Sequence, residues 1–157
     1  GQVEWLGVDE CDFGYDHSRF QKSGEVILGV EFTLRPGDPV ISQQLIAKAT
    51  HYRASTQPLG MPSSGCIFQN VPNTPHLQQL FPQFAEKTHV PGGFLIDQAG
   101  LKGVRRGSLE VSQKHAAFIV NHGDGSSRDL LELIEHIKNT VKDKFAVELQ
   151  EEVFFLS

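Results

Sequence analysis

Val26, Leu28, Val30, Phe32 and Leu34 occupy every second position of EVILGVEFTL, residues 25–34. A period of two sends successive side chains to opposite faces, so this segment is predicted as a strand with one apolar face. The turn-forming RPGDP ends it. Asp38 then offers a side-chain acceptor at a helix start and Pro39 a pre-set first turn. Ile41, Leu45, Ala49 and Tyr52 recur at helical spacing, predicting a helix to about residue 53. Pro58, Gly60, Pro62, Gly65, Pro72 and Pro75 break any period across 55–75, which reads as a functional loop or a domain junction. A short helix interrupted at Pro82 is expected within 76–87, and a second near 92–99 with Gly100 as its stop.

LEVS (109–112) and AAFIVN (116–121) read as two strands, the second apolar throughout and so expected to be buried on both faces. HGDGSS turns the chain. Ser126 with Asp129 three residues on has the spacing of a capping box. Leu130, Ile134, Ile137, Val141 and Phe145 then mark one face of a long helix, and VELQEEVFFL ends the chain with a strand-like pattern. Strands and helices follow one another without a regular β–α repeat, so the expected class is α+β.

At 157 residues the chain suits one domain, or one domain and a piece of another. Hydrophobic content of 39% with 21% charged residues fits a globular protein with a real core. A formal charge of −5 argues against nucleic acid or an anionic membrane surface as partner. No apolar run approaches the roughly 18–20 residues that span a bilayer. GQVEWLGVDE has neither a secretory pattern nor an initiating Met, so the chain is expected to begin inside a longer protein. Cys11 and Cys66 form neither a metal-spaced pair nor a disulfide framework, and a reducing cytoplasm is the simplest compartment.

Candidate chemistry gathers in two places. In PSSGCIFQN, Gly65 allows positive φ immediately before Cys66, with the amides Gln69 and Asn70 behind. Cys66 is either a small buried hydrophobe or a thiol held toward a cleft. Residues 101–115 set Lys102, Arg105, Arg106 and Lys114 against Glu110 alone, a net +3 that could seat an anion such as a diphosphate or be an ordinary solvated turn. His115 leads into a buried strand and reads first as a structural histidine bonded to backbone. Glu152, on a strand face with Glu148 and Gln150, reads in isolation as a solvent-facing edge. No set of residues has metal-ligand spacing, and no glycine fingerprint for a phosphate loop or a dinucleotide follows a strand.

PSSGCIFQN, GGFLIDQAGLKG, VSQKHAAFIVN and VELQEEV occur here in the order found in the UDP-N-acetylenolpyruvoylglucosamine reductases, the MurB-type flavoenzymes of peptidoglycan synthesis. CDFGYDHSRF resembles that family's FGYR-D-S-x-F element. The resemblance implies FAD-dependent reduction, by NADPH, of the enolpyruvyl ether of UDP-N-acetylglucosamine to UDP-N-acetylmuramate in the cytoplasm, by a monomer. It implies that Cys66, where the family commonly has serine, protonates the carbanion left by hydride transfer. A thiol is a far stronger acid than an alcohol. Glu152 matches the family's catalytic glutamate, and Asn70, Lys102, Lys114 and Arg53 fall where substrate is bound. One position departs: Asp16 stands where the family has an enolate-stabilising arginine, so either Arg19 or Arg53 supplies the cation or the enzyme is slow or divergent. Phe154 and Ser108 also replace a basic residue and a glycine.

The family's glycine-rich FAD segments precede everything seen here. The resemblance therefore divides the chain into the end of an FAD-binding domain (1–37), a connecting helix (38–54) and a substrate-binding domain (55–157). Such a piece would hold FAD weakly or not at all. The alternative is a UDP-sugar-binding module that has lost the redox chemistry.

Overall fold

The computed structural model describes residues 1–155, and its contacts divide the chain into one unit of Gly1–Asp38 and another from Pro39 onward. In the first, a single 3-10 turn at Asp9–Cys11 precedes helix α1, Phe20–Ser23, which Gly24 ends at φ 71°. Arg19 ties this unit together. Its backbone N–H donates to the Cys11 carbonyl and its guanidinium to the Glu10 carbonyl and to Glu25. Asp16 lies here at φ 49°.

The strand expected at 25–34 does not form. Its alternation is real, but Val26 is 79% and Leu34 84% exposed, and the segment carries no bridge to any described residue. A strand exists only through a ladder to a neighbour. Helix α2, Pro39–Thr56, does form, yet its expected face of Ile41, Leu45 and Tyr52 stays exposed.

From residue 57 the chain folds around a sheet. Strands β3 (Arg105–Arg106), β4 (Leu109–Val111) and β5 (Ile119–Asn121) run antiparallel in that order. The first of these escaped the sequence reading because two charged residues carry no period. Backbone bonds widen the sheet past β5. Ile67 N donates to the Ala117 carbonyl at 2.8 Å and Asn121 N to the Pro62 carbonyl at 2.9 Å. On its other side the same segment meets the chain's end, where Glu152 N donates to the Ile67 carbonyl at 2.8 Å and Gln69 N to the Gln150 carbonyl at 2.9 Å. The strand expected over 147–156 is thus reduced to a bridge at Glu151, opposite Phe68, while Phe154 is exposed and Leu156 lies outside the described residues. A two-residue ladder joins β1 (Val71–Pro72) to β2 (His89–Val90).

Thr74 caps α3, Pro75–Leu80, by accepting from Leu77 N, and a 3-10 turn begins at Pro82, where proline cannot continue the helix. The segment after β2 forms α4, Gly92–Gln98, which Gly100 ends at φ 80°. The long helix is α5, Ser127–Phe145, with the expected Ser126–Asp129 capping box. Its buried stripe is Leu133, Ile134, Ile137 and Val141, packed with Ile67, Leu95, Ile96, Val111 and Leu149. Burying each such side chain contributes about 1.5–3 kcal/mol. Leu133 was missed from the predicted stripe, whose ends, Leu130 and Phe145, are only partly buried.

Glu110 is the charged exception in this interior, with a side chain 10% exposed. It stands opposite Arg105 on β3 and accepts from Arg105 Nε at 2.7 Å, from Nη2 as well, and from His122 Nε2 at 2.8 Å. Burial alone would raise its carboxyl. The hydrogen bonds and charges of Arg105 and His122 outweigh that and hold it below the usual carboxylate range. A depressed folded-state value stabilises fully above the unfolded value of about 4.3, and the gain is lost as pH falls through the folded value. The stability gap between the native protein and Glu110→Gln is therefore expected to shrink as pH falls below about 4. Denaturant midpoints measured across pH check this; a gap that widens with acid would contradict it.

Candidate functional site

Cys66 sits in the middle of the widened sheet, bridged to Phe118 on one side and one residue before the Ile67–Glu152 bond on the other. Gly65 has φ 87°, and no described atom lies within 4 Å of where its Cβ would be, so the glycine serves the turn and not a close contact. The thiol is half-buried. Burial pushes its pKa up, and the negative charge of Glu152 pushes it the same way. An ordinary thiol titrates near 8.5, so Cys66 keeps its proton at neutral pH. Such a group is a proton source and a slow nucleophile.

A second set of side chains is organised by α4. Gly92 N, in its first turn, donates to Asn70 Oδ1 at 3.3 Å. A Cβ on the next residue, Gly93, would stand 3.0 Å from His115 Cε1, so the bare backbone there makes room for the imidazole. His115 accepts at Nδ1 from Ala117 N at 3.3 Å and stacks edge-on against Phe118, ring centroids 5.0 Å apart. With Nδ1 accepting, the neutral ring carries its proton on Nε2. Burial lowers the imidazole's pKa and the charge of Lys102 lowers it further. Lys102 in turn bonds Asp97 Oδ2 through Nζ at 2.7 Å.

Cys66 with Glu152, and Asn70 with His115 and Lys102, are thus two groups linked through Ala117–Phe118 and the strand they flank. The structural reading of His115 holds for its backbone bond, but the ring also stands in the field of Lys102. Its place beside Gln113 and Lys114 was the available sequence signal. Asp97 gave none, being one acid in a helix.

Other expected residues are engaged elsewhere. Lys114 Nζ donates to the Ala54 carbonyl in the last turn of α2, and Arg53 Nε donates to Gln57 Oε1 at 3.3 Å. The +3 patch of 101–115 is largely paired, Lys102 with Asp97 and Arg105 with Glu110. Ser108 bonds Asp124 Oδ1 at 2.7 Å, holding the turn. Asp16 belongs to the first unit.

A cavity of about 270 Å³ opens beside the same loop, lined by Ser63, Ser64, Ile67, Asn121, Ser126 and Ser127. Gly123 and Gly125 lead there from β5 into α5, the position at which a dinucleotide's phosphates meet a helix N-terminus in other folds. Here the Asp129 carboxylate already accepts from Ser126 N and Oγ, which places an anion where phosphate would sit. That turn does not fit the diphosphate of a flavin dinucleotide. Among the described residues no group of three or more His, Cys, Asp or Glu could hold a metal ion, and no helix is long and apolar enough to cross a membrane.

The architecture is an α+β domain presenting a half-buried thiol in the field of the Glu152 carboxylate. Residues 57–156 match the family model of the UDP-N-acetylenolpyruvoylglucosamine reductase C-terminal domain. The chain belongs to that family. It is 39% identical over 153 residues to the UDP-N-acetylenolpyruvoylglucosamine reductase of Streptococcus agalactiae serotype III, covering 98% of this chain and 46% of that protein. The Streptococcus pneumoniae enzyme is 39% identical over 156 residues, with 99% and 46% covered. The crystal structure of UDP-N-acetylenolpyruvylglucosamine reductase from Thermus caldophilus superposes with a TM-score of 0.55 at 30% identity, covering 78% of this chain and 38% of that one. The chain therefore spans about half the length of the curated relatives it matches.

Proposed function

We propose that this chain is the substrate-binding, proton-donating part of a cytoplasmic, monomeric UDP-N-acetylenolpyruvoylglucosamine reductase, which reduces the enolpyruvyl ether of UDP-N-acetylglucosamine to UDP-N-acetylmuramate for peptidoglycan. In that protein NADPH is the electron donor and FAD the carrier, and the flavin is assigned to chain outside this one. Residues 1–37 would complete that flavin domain, 38–54 connect it and 55–157 bind substrate. The exposed alternation of 25–34 supports this, since a lone apolar strand needs neighbours to pair with.

The observation that carries the reading is the half-buried Cys66 thiol, bridged to Phe118 in the sheet, with burial and the Glu152 charge both pushing its pKa up. Adding hydride to one carbon of the enolpyruvyl double bond leaves a carbanion at the other, beside the carboxylate, and that carbon must take a proton. Cys66 gives it up. Glu152 raises the thiol's pKa by its charge and, after taking up a proton from solvent, passes it back to the thiolate. Lys102 receives the nucleotide sugar's phosphates or carboxylate and Asn70 one of its polar groups, Lys114 and Arg53 join them by giving up their bonds to Ala54 and Gln57, and His115 adds a neutral Nε2–H donor. Neither nucleic acid nor membrane enters.

Asp16 favours a second reading, a UDP-sugar-binding module without redox chemistry, because a carboxylate there opposes a developing enolate. The full-length parent protein, supplied with FAD, NADPH and the enolpyruvyl substrate, decides between them. UDP-N-acetylmuramate formation supports the reductase; substrate binding without product supports the module.

A further inference from the structure

Asp97 has no part in the chemistry so far, and the helix it sits in does not ask for it. It is the next-to-last residue of α4, where a carboxylate opposes the helix dipole, and Asp is a poor residue for a helix body. The carbonyl end of α4 already has its cation, Lys144 Nζ, donating to the Ala99 carbonyl at 2.6 Å. What Asp97 does is accept from Lys102 Nζ at 2.7 Å.

The backbone is shaped to allow that bond. Gly100, the glycine between Asp97 and Lys102, stands at φ 80°, a conformation that L side chains rarely adopt, and folds the chain back on itself. Lys102 is thereby carried over the last turn of α4, its side chain only 29% exposed. The first turn of the same helix binds Asn70. One short helix thus sets two of the side chains assigned to substrate.

We propose that Asp97 is a positioning residue for substrate: it fixes the Lys102 ammonium where the anionic group of the nucleotide sugar arrives. It takes one of the three ammonium protons and leaves two for the ligand. Without it, a flexible four-carbon side chain has to be ordered at the moment of binding, and affinity falls by that cost. The role rests on the assignment of Lys102 to substrate made above.

Four forms of the full-length parent protein test it: native, Lys102→Met, Asp97→Asn and the double variant. Asp97→Asn is expected to raise KM for the enolpyruvyl substrate about tenfold with kcat little changed, and to add nothing in the Lys102→Met background. Asp97→Glu restores most of the affinity, which a general loss of folding would not allow. The His115 ring, followed by NMR, titrates at lower pH in Asp97→Asn because the Lys102 charge then goes unscreened. An Asp97→Asn effect of equal size with and without Lys102 overturns the proposal, as does no effect at all, while a raised KM in Lys102→Met leaves the functional reading standing. If Lys102→Met itself leaves KM unchanged, the assignment of Lys102 to substrate fails and this proposal falls with it.

Discussion

Cys66→Ala in the full-length parent protein is expected to lower turnover at least about a hundredfold, the usual scale of a positioned general acid. The half-reaction with NADPH should keep its native rate, because electron entry needs nothing from the thiol. Reoxidation by the enolpyruvyl substrate should stop. Rapid-mixing measurements of the two half-reactions separate these outcomes; an alanine variant reoxidised at the native rate would remove Cys66 from the mechanism. Cys66→Ser supplies the control in pH. Burial and Glu152 raise the thiol, so native activity should hold through neutral pH and fall only as the thiol ionises on the alkaline side. Serine has no such ionisation, and its profile should lack that limb while its rate is lower. The same raised value makes Cys66 a reluctant target for alkylation at neutral pH.

What could be read from the sequence divides along a physical line. Elements whose signal is local and self-sufficient were legible: α5 through its capping box and apolar stripe, α4 through Gly100, and the break at Pro82 through the missing N–H. Elements that exist only through a partner were not. The 25–34 segment has as good an alternation as any strand, but alternation specifies a face and not a neighbour, and it stays unpaired. β3 is the reverse case, two arginines with no pattern that become a strand because β4 folds back along them. The site follows the same rule. Gly65–Cys66 announced itself by adjacency, whereas Asp97 and Lys102 are joined only after Gly100 has turned the chain. The positive patch was visible as a count of charges, but that count could not show the pairing with Glu110 and Asp97.

Gly92→Ala is the substitution expected to damage both fold and site. Helix propensity argues for alanine, since glycine within a helix costs about 0.5–1 kcal/mol relative to it. Space argues against, and it wins. A Cβ at residue 92 would lie 2.6 Å from the Gln69 carbonyl oxygen, with Phe68 Cβ 3.6 Å away. That carbonyl cannot swing aside cheaply, because Gln69 N is bonded to the Gln150 carbonyl and its neighbour Phe68 is buried and bridged to Glu151. Relief has to come from lifting α4 off the sheet, which opens the Asn70 bond to Gly92 N and shifts Asp97 with Lys102. Overpacking of this kind costs about 1–3 kcal/mol or more, so the thermal midpoint should fall by several degrees. Substrate affinity should weaken with it. Gly123→Ala is the matched control, with no described atom within 4 Å of its would-be Cβ, and should be close to neutral. If the two variants melt together, the Gln69 carbonyl has room to move and α4 is not seated as tightly as its contacts require.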